Sequence, residues 1–195
     1  MSVPPIIDAL VLHLDQASAR EVVALESKQD WPGMLDMART QLGREPGRSD
    51  WWFLQGYALS RQGQHGAAIE SYQQAIRFSP EDEGSWLALG RSQRALGRSE
   101  AAIKTYRQAL RYRPESVRAY LGLADAYLEQ GRPDLAIANY RESVRYDRES
   151  VHGWFGLAAS YRVTGQSERA DEASIALRKL DAAAADRLEK QYPSR

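Results

Sequence analysis

Residues 83–116 read EGSWLALGRSQRALGRSEAAIKTYRQALRYRPES, and this stretch decides the fold because the chain repeats it. Trp86 has counterparts at a spacing of 34 residues, at Trp52, Tyr120 and Trp154. Gly90 steps in the same way to Gly56, Ala124 and Ala158, and Ala102 steps to Ala68, Ala136 and Ala170. Tyr106 is in register with Tyr72 and Tyr140, and Ala109 with Ala75 and Ser143. Turn residues keep the same time, as Gly63, Gly97, Gly131 and Gly165 and as Pro46, Pro80 and Pro114. A fixed period of about 20–50 residues marks an array in which each unit buries its apolar face against its neighbour.

Within the stretch, Trp86, Leu87, Leu89 and Leu96 recur at helical spacing. Ala102, Ile103, Tyr106, Ala109 and Leu110 form a second such run, so each repeat holds two helices of about 13 residues. Gly97 supplies the left-handed conformation that ends the first helix, Ser99 and Glu100 open the second, and Pro114 cannot continue it. Pro32 and Pro133 fall in first turns, where a missing N–H costs nothing. The small residues Gly90, Ala102 and Ala109 let paired backbones approach closely, while Trp86 and Tyr106 fill the space between layers. Ahead of the array, residues 5–14 read as a short apolar helix, and Ser18 with Glu21 as a capping box that starts the next one. Ala182 to Tyr192 reads as a last helix capping the array.

These registers resemble the tetratricopeptide repeat, whose pattern runs Trp, Leu-Gly, Tyr, then Ala, an aromatic and Pro. The resemblance divides the chain into an N-terminal helix (1–14), a degenerate repeat (15–48), repeats at 49–82, 83–116, 117–150 and 151–184, and a C-terminal capping helix and tail (182–195). Departures fall at the ends: Ser18 stands where the first Trp belongs, and Ser174 and Ala182 replace the aromatic and proline of the last repeat. The family's fold is all-α, a right-handed α-solenoid of stacked antiparallel helix pairs, here with about twelve helices in all.

Composition narrows the chemistry. The 195 residues are 43% hydrophobic and 27% charged, and 26 basic residues balance 26 acidic ones. With no global field, neither nucleic acid nor an anionic membrane is an expected partner. No cysteine is present, which removes disulfides, thiolate metal sites and a cysteine nucleophile. Ile6 to Leu14, the most apolar early stretch, is interrupted by Asp8 and His13 and is too short to span a bilayer. His13, His65 and His152 are far apart, with no His-x-x-x-His pair, and no phosphate-cradling glycine loop occurs. Asp171 and Glu172 point in different directions on their helix. No metal, no cofactor and no enzymatic activity are expected.

The resemblance places a binding groove on the wall lined by the first helices. That wall offers Phe53 and Tyr57 from the first full repeat, Leu87, Arg91 and Arg94 from the second, Arg118, Leu121 and Asp125 from the third, and His152, Phe155 and Arg162 from the fourth. Phe53, Leu87, Leu121 and Phe155 are equivalent positions and form an apolar row, which either lines the groove or packs between repeats. Residues 83–116 carry seven basic residues against three acidic ones. Their Arg91 and Arg94, with Arg118, either take a carboxylate through bidentate guanidinium geometry or pair with Asp125 and Glu129. Family members that serve heat-shock chaperones hold a C-terminal carboxylate with a clamp of Lys, Asn and Arg. Here Phe53, Tyr57, Arg91, Leu121 and Asp125 occupy those places, so the clamp is not carried over.

The function expected is a protein-interaction scaffold or adaptor that binds a peptide or helix of a partner, acidic or carboxylate-bearing, in this groove. Two alternatives stand beside it. One is an assembly factor that self-associates by inserting Ile6, Ile7, Leu10 and Leu14 into a neighbour's groove, in the manner of bacterial members that build pili, secretion systems and envelope complexes. The other is a regulatory subunit of a separate enzyme. The sequence leaves the oligomeric state open. The cytoplasm is the default compartment, with the periplasm as the alternative if an export signal has been removed; Arg-rich, Lys-poor usage gives a bacterial impression.

Overall fold

The computed structural model describes residues 13–193, and among them lie eleven α-helices and no strand. They are α1 (Gln16–Lys28), α2 (Trp31–Arg44), α3 (Ser49–Arg61), α4 (His65–Phe78), α5 (Glu83–Ala95), α6 (Ser99–Tyr112), α7 (Val117–Glu129), α8 (Pro133–Tyr146), α9 (Val151–Val163), α10 (Ser167–Leu180) and α11 (Ala182–Gln191). First helices of a pair have 13 residues, and second helices have 14. The helix expected over 5–14 lies outside the described residues except for His13 and Leu14, which stand in a turn.

Local chemistry sets the helix ends. Gly63, Gly97, Gly131 and Gly165 all adopt positive φ, between 67° and 76°, two residues beyond a first helix. Pro32 and Pro133 occupy first turns, as expected. Three first helices share a cap register: Asp82 accepts from the Ser85 N–H, Ser116 from that of Ala119 and Ser150 from that of Gly153. The capping box expected at Ser18 does not form. Asp15 caps α1 instead, its carboxylate accepting from the Ala17 and Ser18 N–H groups at 3.1 and 3.0 Å. An ionised acceptor satisfies two orphan donors at the positive end of the helix dipole, so the helix begins earlier and Ser18 turns inward. Hydrogen bonds from Ser18, first from its side chain and then its backbone, hold the Asp15 carboxyl below the usual carboxylate range.

The chain forms two compact units, Met1–Gly97 and Arg98–Arg195. In the first, α3 packs on α2 and α4, and α4 packs on α5, around Met34, Trp51, Leu54 and Tyr72. In the second, α7 packs on α6 and α8, α9 on α8 and α10, and α11 closes against α9 and α10 through Ala184, Ala185 and Leu188. The alanine register Ala68, Ala102, Ala136 and Ala170 is sealed in both units, at no more than 1% exposure.

Three glycines on first helices, Gly56, Gly122 and Gly156, seat tyrosine rings. A Cβ on Gly56 would meet the Tyr72 ring at 2.8 Å. The same addition would come closer still to Tyr106 at Gly122 and to Tyr140 at Gly156. The tryptophan register is half-buried and fastens turns. Trp52, Trp86 and Trp154 each donate an indole N–H, at 2.7–2.8 Å, to the carbonyl six residues earlier, those of Pro46, Pro80 and Arg148. Tyr120 has no such donor in reach of a carbonyl and stacks on Tyr146, with ring centres 5.8 Å apart. The indole sunk deepest is Trp51, one residue off the register.

Candidate functional site

In the first unit, α3 places Phe53 and Tyr57 one turn apart on the same face. Both are buried. Phe53 packs with its ring centre 5.6 Å from that of Tyr72. Tyr57 donates its hydroxyl to Glu26 Oε1 on α1 at 2.8 Å. Its ring meets that of Trp31 edge-on at 6.1 Å, and the Arg61 guanidinium covers Trp31 at 4.6 Å. Burial foremost, then the bond to Glu26, pushes the Tyr57 phenol upward. Leu87 on α5 is buried too, at 2% exposure. These three residues therefore serve the interior; for Phe53 and Tyr57 the rings of Tyr72 and Trp31 on neighbouring helices cover the face on which the helical period sets them. Arg91 is exposed and Arg94 half-buried. The Tyr72 phenol is pushed up to about 12, chiefly by burial; the bond with Ser60 and the positive charge of Arg91 act against that rise.

In the second unit the first helices α7 and α9 touch and share a surface. Arg118 is exposed in the first turn of α7, and Leu121 on α7 and Phe155 on α9 are half-buried. Between them lies Asp125. Its Oδ1 accepts the Tyr140 hydroxyl at 2.6 Å and stands 3.1 Å from Nε2 of His152. The Asp125 side chain keeps 17% exposure and that of His152 54%, so the pair faces water with the carboxylate held by the phenol beneath it. Glu129 accepts the Ser99 hydroxyl at 2.6 Å.

Arg162 has a different role from the one expected. Its guanidinium donates to Ser174 Oγ at 3.1 Å, to the Glu189 carboxylate and to the Tyr192 carbonyl, and its side chain is only 8% exposed. It ties α9 to α10 and to the C-terminal helix, and it does not line an open face. The correction has a physical reason: α11 folds back over the end of α9 and supplies acceptors where another repeat would otherwise follow.

The structure thus brings together Leu121, Asp125, His152 and Phe155, with Arg118 at the start of α7, and it withdraws Phe53, Tyr57, Leu87 and Arg162 into packing. Tyr140 is the residue the sequence reading assigned to packing alone. Its signal was the single acid, Asp125, in a register otherwise held by Tyr57, Arg91 and Ala159. The arrangement can accept hydrogen bonds at Asp125, offer an imidazole nitrogen at His152 and bury apolar side chains on Leu121 and Phe155. Among the described residues no group of three or more His, Asp or Glu could hold a metal ion, and no helix is long and apolar enough to cross a membrane.

Family models extend this picture. The model described as Tetratricopeptide repeat matches residues 87–150 and 121–194, and one described as TPR repeat matches 56–97. No curated protein matches the sequence. Among solved structures, a MamA fragment from Desulfovibrio magneticus aligns over 93% of this chain and 98% of its own, at 14% identity and TM-score 0.75. YrrB, described as a TPR protein with an unusual peptide-binding site, aligns over 97% and 100%, at 14% identity and TM-score 0.70. A thermophilic TPR protein of Thermus thermophilus aligns over 90% and 95%, at 19% identity and TM-score 0.68. At these identities the likeness is one of fold, an all-α solenoid of helix pairs. The family models cover more than half of the chain and match its 34-residue registers, and on that ground the protein belongs to the tetratricopeptide repeat family.

Proposed function

We propose that the chain is a non-enzymatic protein-interaction scaffold and that the first-helix surface of its second unit binds a peptide segment or helix of a partner protein. The observation that carries this reading is the pair of half-buried apolar side chains, Leu121 and Phe155, flanking the Asp125–His152 pair on adjoining first helices. Apolar anchors give such a surface affinity, and a fixed carboxylate with a neighbouring imidazole orients the segment that docks. Arg118, exposed in the first turn of α7, adds positive charge at the edge of this surface. Membership of a family of interaction modules supports the reading, and YrrB, a structural neighbour, is described as having a peptide-binding site. Arg91 in the first unit offers a second cationic position of the same kind.

Affinity capture from a lysate of the source organism, read by mass spectrometry, tests this. Wild type is compared with Arg118→Glu/Phe155→Ala and with Arg91→Glu/Arg94→Glu, after circular dichroism has shown all three folded. A partner retained by wild type and lost with the first pair supports the second-unit surface. Loss with the second pair alone moves the site to α5, and retention by both removes the first-helix reading.

A further inference from the structure

The second unit also carries a cavity of about 710 Å³, lined by the second helices α8 and α10 and by α9. That volume is within the range of about 300–1,000 Å³ typical of ligand sites. Leu157, Tyr161, Val144 and Ala173 are buried in its base. Trp154 forms one wall, held by its indole N–H on the Arg148 carbonyl at 2.8 Å.

Four arginines, Arg141, Arg145, Arg148 and Arg169, line this apolar base, against two acids, Glu142 and Glu172. Arg145 is neutralised by Glu142 at 2.6 Å and covers the Tyr146 ring at 4.2 Å. Arg169 donates only to the neutral Gln166 side chain, at 2.7 Å. The guanidinium groups of Arg141 and Arg148 have no hydrogen-bond or ion-pair partner among the described residues. Three arginines not held by a carboxylate therefore surround a tryptophan-walled hollow, with Glu172 the one acid left to oppose them.

We infer that this cavity is a docking site for an acidic peptide segment, one that sets an apolar side chain into the hollow while its carboxylates take Arg141, Arg148 and Arg169. The spacing of the cations favours a segment over a single small anion. Arg141 is on α8, Arg148 is in the turn two residues beyond its end and Arg169 is on α10, so the cations reach the hollow from three separate elements. One phosphate fills a small part of a hollow of about 710 Å³, whereas a few residues of a peptide, an apolar side chain among them, occupy it. Guanidinium groups at a hydrophobic rim also give up little hydration and meet carboxylates in bidentate geometry. The site shares no residue with the first-helix surface and does not rest on it.

Fluorescence anisotropy with a labelled peptide reading DEELFEEDD tests the inference, with KKRLFRKKR, of the same apolar pair and opposite charge, as comparison. The acidic peptide is expected to bind wild type and the basic one not. Arg141→Ala/Arg148→Ala, both at exposed positions, is expected to raise Kd at least about tenfold, and Arg39→Ala, an exposed arginine on α2, to leave it within about twofold. Equal binding of the two peptides, no binding of the acidic one, or a double variant within about twofold of wild type overturns the assignment. So does binding of a phosphoserine peptide that lacks Asp and Glu in place of the acidic one. Loss or retention of a partner at the first helices leaves each of these outcomes unchanged, so the two sites fail or stand separately.

Discussion

Replacing Gly156 with Ala sets two physical effects against each other, and the structure decides which prevails. Gly156 lies in the interior of α9, where Ala is intrinsically better than Gly by about 1 kcal/mol. The new Cβ, however, would overlap the ring of Tyr140, which is 2% exposed and anchored through its hydroxyl to Asp125 at 2.6 Å. Overpacking of this kind costs about 1–3 kcal/mol. Displacing the ring also loses the bond to a carboxylate, about 1.5–3 kcal/mol in general and nearer the lower end here, because Asp125 is partly open to water. The net expectation is a loss of about 2–4 kcal/mol, or a thermal midpoint lower by roughly 4–16 °C for a chain of this size. Gly66→Ala makes the same chemical change on α4 where a Cβ meets nothing within 4 Å, and it should raise the midpoint by roughly 1–3 °C. Adding Tyr140→Phe to Gly156→Ala should then cost little more, since the bond it deletes is already broken. A Gly156→Ala midpoint at or above wild type would refute the account of glycine as the seat of a tyrosine ring.

Three further outcomes follow from contacts that join distant parts of the chain. Arg162→Ala should cost about 1.5–3 kcal/mol and raise amide hydrogen exchange selectively over Ala182–Gln191, because it removes the donors that hold α11 to α9; uniform exchange across the unit would contradict that role. Tyr57→Phe should destabilise by about 2 kcal/mol in urea melts, because Glu26 at 9% exposure loses the donor to its Oε1, and it should leave partner capture intact; a neutral melt would mean that Glu26 finds water at no cost. Alkaline pH should destabilise the first unit. The Tyr72 phenol rises from 10.0 when unfolded to about 12 when folded, so the native state keeps its proton longer. Stability is full below about pH 10 and falls as pH rises toward 12, with Tyr57 adding to the loss in the same direction. Urea midpoints that stay flat through that window would count against the burial of these phenols, and Tyr72→Phe should lessen the slope.

The helix pairs, their lengths and their turns were legible because each rests on local chemistry: a helical period, a glycine that tolerates positive φ, a proline without an N–H. Even so, local signals competed. Asp15 outranked Ser18 as the cap of α1, since a carboxylate serves two orphan donors where a hydroxyl serves fewer. The cap register Asp82, Ser116 and Ser150 was present in the sequence, but its residues are polar and differ in type, so they do not stand out as the tryptophans and alanines do.

The candidate site was harder to read, and the apolar row shows why. Phe53, Leu87, Leu121 and Phe155 are equivalent by period, yet the first two are buried and the last two half-open. Arg94 and Arg162 are equivalent as well, but Arg162 is claimed by Glu189 of the helix that follows the array and by Tyr192 just beyond its end. By itself the sequence determined the repeat, the helix pairs and the faces on which side chains lie, because backbone hydrogen bonds and side-chain periods act within a few residues. Tertiary structure alone decided which of those faces stay open, since burial depends on partners such as Glu26 for Tyr57 and Tyr140 for Asp125. Such partners are brought into reach by the packing of one helix on another, and no spacing within a single helix encodes that distance.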